Sequence, residues 1–103
     1  MHRLLVLYPQ PADPAAFLDH YVGRHVPLAR TLPGLRASRW MQPQALGPAT
    51  GTLAAPFVVF EADFDSEAAM FAALGSPIGR DVAADVPRYS PAGATLVHYE
   101  VPA

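Results

Sequence analysis

Four eight-residue runs suited to β-strands are separated by two helix-like stretches, in the order strand, helix, strand, strand, helix, strand. The runs are HRLLVLYP (His2–Pro9), LRASRWMQ (Leu35–Gln42), FVVFEADF (Phe57–Phe64) and ATLVHYEV (Ala94–Val101). That order predicts an α+β, ferredoxin-like βαββαβ fold: one four-stranded antiparallel sheet with helices on one face. In the first run Leu4, Val6 and Tyr8 alternate with Leu5 and Leu7, so both faces of the strand are apolar. The third run places Val58, Phe60, Ala62 and Phe64 on one face and Phe57 and Val59 on the other. Two helices cover only one face of such a sheet. The uncovered apolar face therefore predicts a homodimer packed sheet on sheet. A chain of 103 residues is expected to form a single domain, 1–103.

The first helix, within Pro11–Leu32, carries the most information. Asp13 suits its N-cap and Pro14 its first position. Phe17, Tyr21, His25, Leu28 and Leu32 fall on one stripe at helical spacing, with Asp19, Gly23 and Arg30 opposite. Pro27 has no amide hydrogen, and its ring crowds the Gly23 carbonyl. The spacing predicts a kink between Gly23 and Pro27, opening a gap between helix and sheet beside His25. His20 and His25 are five residues apart, about 140° around an α-helix, so they are not expected to share a ligand. His20 is expected to be exposed, and no metal site is expected. Gly34 ends the helix as a turn residue.

Pro43–Pro56, with its prolines and glycines, reads as a loop. Asp65–Ser76 reads as a second helix capped by Asp65 or Ser66 and closed by Gly75. One or two further helical turns follow from Pro77 and end before Pro87.

The net charge of −2 and seven scattered arginines, without lysine, argue against a nucleic-acid surface. The absence of cysteine excludes disulfides, thiol catalysis and cysteine-ligated metals. No apolar run approaches the ~18 residues of a membrane helix and no signal peptide is recognisable, so a cytoplasmic protein is expected. No phosphate-cradling loop, nucleophile elbow or nucleotide fingerprint is present, and no cofactor is expected.

Several of these stretches have a familiar order. A strand ends in Tyr8-Pro9. Phe17-x-x-x-Tyr21, His25-x-Pro27-Leu28 and Leu32-Pro33-Gly34 follow it. FDSEAAMFAAL and SPIGRDVAADVPRY, with Asp85-Val86-Pro87, come later. Together they resemble the EthD family over nearly the whole chain. The resemblance implies a dimeric α+β barrel. Fold relatives of that kind include heme-degrading monooxygenases, aromatic polyketide cyclases and muconolactone isomerases. The family takes its name from an accessory protein in ether degradation. By position the resemblance also marks His25 and Asp85 as the family's His-x-Pro histidine and Asp-Val-Pro aspartate.

His25 is thus either a general acid or base, since imidazole titrates near neutrality, or a core histidine with both nitrogens satisfied. Asp85 either orients His25 or caps a helix end. Tyr21 either donates to an oxyanion or packs in the core. Tyr8, Phe17, Trp40 and Tyr89 are candidates to line a substrate pocket. Arg24, Arg39 and Arg88 either bind a carboxylate or are solvated. His98 is a candidate for the dimer interface. The expected function is cofactor-free proton transfer on a hydrophobic aromatic or lactone-like metabolite: isomerisation, cyclisation, dehydration or decarboxylation. The alternative is a non-catalytic binding or accessory dimer using the Pro43–Pro56 loop; a third reading is heme binding.

Overall fold

A computed structural model describes residues 1–48, 50–51 and 53–102. Strand β1 (His2–Tyr8) leads to helix α1 (Pro14–His20), a π-helical turn (Tyr21–His25) and a short helix α2 (Val26–Ala29). Strands β2 (Ala37–Met41) and β3 (Val58–Phe64) follow, then helices α3 (Glu67–Leu74) and α4 (Pro77–Tyr89), and strand β4 (Thr95–Glu100). The strands form one antiparallel sheet in the order β2-β3-β1-β4. The molecule is 17 Å across its thinnest dimension, which is one sheet plus one layer of helices. The α+β, ferredoxin-like expectation is met.

The core lies between the two layers. Leu4, Val6 and Tyr8 of β1 and Val58, Phe60, Ala62 and Phe64 of β3 are buried on the helix side. The opposite face holds Leu5 and Leu7, half-buried, beside Val59, Met41 and Val97. At its other end lies a charged cluster. Asp63 accepts from Arg3 Nε at 2.7 Å and from Arg39 Nη2 at 3.1 Å, and Arg39 also reaches Glu61 at 2.9 Å.

Local signals explain the helix starts. Asp13 caps α1 by accepting from the Ala16 amide, Ser66 caps α3, and Ser76 caps α4. Gly79 lets α4 approach the end of α3. A Cβ there would sit 2.3 Å from the Ala73 carbonyl oxygen.

Two helical expectations are corrected. The kink expected near Pro27 is a π-helical turn: Val26 donates to the Tyr21 carbonyl, five residues back. The wider turn relieves the crowding of Gly23 by the Pro27 ring. It also inserts an extra residue into the winding, so the buried stripe shifts from Leu28, which is half-buried, to Val26 and Ala29. The second correction concerns α4, which continues through Pro87 to Tyr89 instead of ending before it. Pro87 lies on the exposed side, where water can satisfy the Ala83 carbonyl that loses its partner.

Candidate functional site

The π-turn and α4 meet at one carboxylate. Asp85 lies on the inner face of α4 with Val82, Val86 and Tyr89, and is buried. His25 Nδ1 lies 2.9 Å from Asp85 Oδ2. His20 Nε2 lies 2.9 and 3.1 Å from the two carboxylate oxygens. An ionised carboxylate only accepts, so both imidazoles donate to it. Arg88 adds a long contact at 3.5 Å from a largely exposed side chain.

This arrangement overturns the expected separation of the two histidines. On an ideal α-helix residues five apart diverge. The π-turn between them returns position i+5 toward position i, and both rings reach the same group. His20 is accordingly half-buried, stacked on Tyr89 with centroids 5.5 Å apart, and not on an exposed flank.

Burial pushes the His25 pKa down, and its hydrogen bond to Asp85 only partly offsets this, so the net direction is below the ordinary imidazole value. For Asp85 burial pushes the pKa upward. The hydrogen bonds from His20 and His25 outweigh it, and the net direction is downward. The pair at neutral pH is therefore a neutral imidazole beside an anionic carboxylate. With Nδ1 donating to Asp85, the lone pair of His25 sits on Nε2. Nε2 has no hydrogen-bond partner among the described residues. The one fully sealed, unpartnered polar side-chain atom among those residues is the Tyr21 hydroxyl, so His25 Nε2 remains accessible.

His25 also lines an apolar cavity of about 240 Å³ between the sheet and helices α2 and α4. Its walls are Leu4, Val6 and Phe60 from the sheet, Ala29 at the end of α2 and Leu32 just beyond it, and Val82 and Val86 from α4, among others. Among the described residues, His25 and Tyr8 supply its polar side-chain atoms. The Tyr8 hydroxyl is occupied by Tyr89 at 2.7 Å, and burial pushes its pKa up to about 12.

The other candidates are distributed around this centre. Tyr21 stacks on His25, centroids 5.6 Å apart and planes 19° from parallel, but its hydroxyl is sealed and it does not line the cavity. Burial pushes the Tyr89 pKa strongly upward, and its ring lies 4.7 Å from that of His25. Phe17 and Tyr89 line a second cavity, of about 370 Å³, on the far side of the aromatic cluster. Trp40 packs edge-on against Tyr21. Arg39 is committed to the outer face of the sheet, away from the cavity. His98 lies on the helix-side face of β4 and not on the uncovered face. The α4 wall was missed in the sequence because the helix was expected to stop before Pro87. The spacing of Ile78, Val82, Asp85, Val86 and Tyr89 is the signal that finds it.

The EthD domain family model matches residues 9–91. This chain belongs to the EthD family. The EthD assignment takes in His20, His25 and Asp85. A similar curated protein, described as an uncharacterized 11.0 kDa protein in the thcB-thcC intergenic region of Rhodococcus erythropolis, is 33% identical over 97 residues, covering 94% of this chain and 91% of that protein. The crystal structure of an ethyl tert-butyl ether D (EthD) family protein from Bacillus halodurans superposes with a TM-score of 0.85 at 28% identity, covering 99% of both chains. A dimeric ferredoxin-like protein of unknown function from Thermobifida fusca shares the fold, with a TM-score of 0.69 at 20% identity, over 97% of this chain and 90% of the other.

Proposed function

We propose that this EthD chain is a cofactor-free catalyst of proton transfer on a small, uncharged, ring-bearing organic molecule, with His25 as the base. The observation that carries the reading is an accessible imidazole on the wall of an apolar cavity, its opposite nitrogen held by a buried carboxylate.

Nε2 takes a proton from a carbon next to a carbonyl. Asp85 holds the ring in the tautomer that leaves Nε2 free and stabilises the imidazolium that forms. Returning the proton to a different carbon is isomerisation; loss of a β-hydroxyl from the carbanion, leaving as water with the proton that His25 has taken, is dehydration. Decarboxylation needs a carboxylate substrate and is not favoured by this cavity. The ring of Tyr21 fixes the plane of His25 by stacking. The sealed Tyr21 hydroxyl leaves the oxyanion-donor role to another group or to water.

The walls define the substrate class. No Arg lines the cavity among the described residues, so a carboxylate or phosphate would enter unpaired at a cost of several kcal/mol. A neutral lactone, enone or phenol carries no such cost. The volume suits one ring with short substituents. A porphyrin exceeds it, and heme does not fit this site.

A second reading, an accessory or carrier homodimer, is favoured by the surface. Half-buried Leu5 and Leu7 with Val59, Met41 and Val97 leave the outer sheet face apolar, and Leu46 and Leu53 project from the β2–β3 connection fully exposed. A dimer through that face is compatible with catalysis at His25, since the cavity lies on the other side of the sheet.

The test is hydrogen exchange. A panel of neutral butenolides, cyclic enones and phenols is incubated with the protein in D₂O and followed by NMR. Deuterium should enter a carbon next to the carbonyl of at least one member, and His25→Gln should abolish it. Exchange that survives His25→Gln overturns the assignment of the base. Saturable binding without exchange across the panel favours the carrier.

A further inference from the structure

A second pair of histidines lies at the opposite end of the sheet. His2 begins β1 and pairs with Glu100, while His98 pairs with Leu4, so the two histidines are diagonal neighbours on the helix-side face. His2 Nε2 stands 2.8 Å from His98 Nδ1. Glu67, the first residue of α3, brings a carboxylate oxygen so that all three donor atoms lie within 4.8 Å of one another. Glu67 takes part in no ion pair among the described residues, nor does Glu100 close by, whereas Asp65 is held by Arg36.

We infer that His2, His98 and Glu67 form a binding site for a divalent transition-metal ion of the zinc class. Two imidazoles and one carboxylate are a donor set for Zn²⁺ and its borderline-soft neighbours. The nitrogen separation is close to that of adjacent ligands on one ion, given metal–nitrogen distances of about 2.0–2.1 Å, and needs only a slight opening. A cavity of about 230 Å³ beside Met1, His2, Glu67 and Glu100 leaves room for water or a fourth ligand. Two features favour a transition metal. The nitrogen donors do not suit Mg²⁺ or Ca²⁺. His2 is buried, so one ligand is already desolvated and fixed in place. Bound metal would join β1, the edge strand β4 and α3.

The experiment uses untagged, full-length protein. Zn²⁺ is titrated by calorimetry and Co²⁺ by its visible d–d absorption, with Ca²⁺ as a comparison. Zn²⁺ and Co²⁺ should bind and Ca²⁺ should not. His98→Gln and Glu67→Gln, both at exposed positions, should each weaken binding about tenfold or more with the far-UV spectrum unchanged. His20→Gln should leave it unaltered. Binding that is indifferent to His98→Gln, lost in His20→Gln, or equal for Zn²⁺ and Ca²⁺ overturns the site. The result is independent of the His25 chemistry, because no catalytic readout enters it.

Discussion

Two buried carboxylates, one on each side of the sheet, are each held by a close pair of nitrogen donors. Asp63 on the outer face is held by Arg3 and Arg39, and Asp85 on the helix side by His20 and His25. Asp63 and Asp85 are similarly inaccessible, at 3% and 6% of full exposure. Their partners make them different devices. Guanidinium stays protonated, so Asp63 sits in a fixed charge pattern completed by Glu61. The hydrogen bond from Arg3, first among the influences on Asp63, holds its carboxyl below the usual range. Imidazole gains and loses a proton near neutrality, so the Asp85 cluster can do work that the Asp63 cluster cannot. Only the Asp85 cluster borders the His25 cavity.

The largest expected effect is on that cavity. His25→Gln keeps a donor for Asp85 but removes the proposed base, and exchange into a turned-over substrate should fall about 10³-fold. Arg39→Gln, the matching change on the other face, should leave the rate within twofold. Equal losses in the two variants would mean that both act through the fold.

Asp85→Asn comes next, at roughly 10²-fold in rate. It carries a second signature. Asp85 raises the His25 pKa against the lowering by burial. Without the carboxylate that pKa falls further, so the acid limb of the pH–rate profile should move to lower pH. A limb that stays in place would place the controlling charge elsewhere.

Asp63→Asn should be a stability mutation with no kinetic phenotype. It leaves two arginines short of a partner, but both reach solvent, so about 1–2 kcal/mol is expected from denaturant melts. A larger loss that depends on protein concentration would indicate that this cluster lies within a dimer interface.

The clusters should also separate in pH. The folded His25 pKa lies below the unfolded value of 6.5, so the unfolded chain binds the proton first. Its contribution to stability is complete above pH 6.5 and is lost as the pH falls through the folded value. The slope cannot exceed one proton, about 1.4 kcal/mol per pH unit. Asp63 and Asp85 are also lowered, from 3.8, so their contributions are complete above 3.8 and are lost at more acidic pH. Thermal melts across pH should show a first loss below 6.5 that His25→Gln removes and Asp63→Asn leaves intact.

Much of this was legible in the residues. The two-sided apolar pattern of Leu4–Tyr8 and Phe57–Phe64 implied the sheet and its open face, and the stripe through Phe17, Tyr21 and His25 implied the buried ring. His20 was not legible, because periodicity arguments assume α-helical winding and the π-turn breaks it. The helix-side cavity wall was hidden by Pro87, whose cost is small where its neighbour's carbonyl faces water. The pairing of His2 with His98 depends on strand register, which no local pattern encodes.

The smallest expected effect tests the part of the site that the sequence hid. Asp85 already has His25 as a partner, and His20 lends it a second hydrogen bond from a half-buried ring stacked on Tyr89. His20→Gln keeps a donor near Asp85 and removes the stacking, so only a few-fold loss in kcat is expected, with KM unchanged. Arg39 stands to Asp63 as His20 stands to Asp85. If His20→Gln instead matches His25→Gln in its loss of rate, the π-turn has assembled a two-histidine clamp on Asp85, and the imidazolium formed at His25 depends on both hydrogen bonds to that carboxylate.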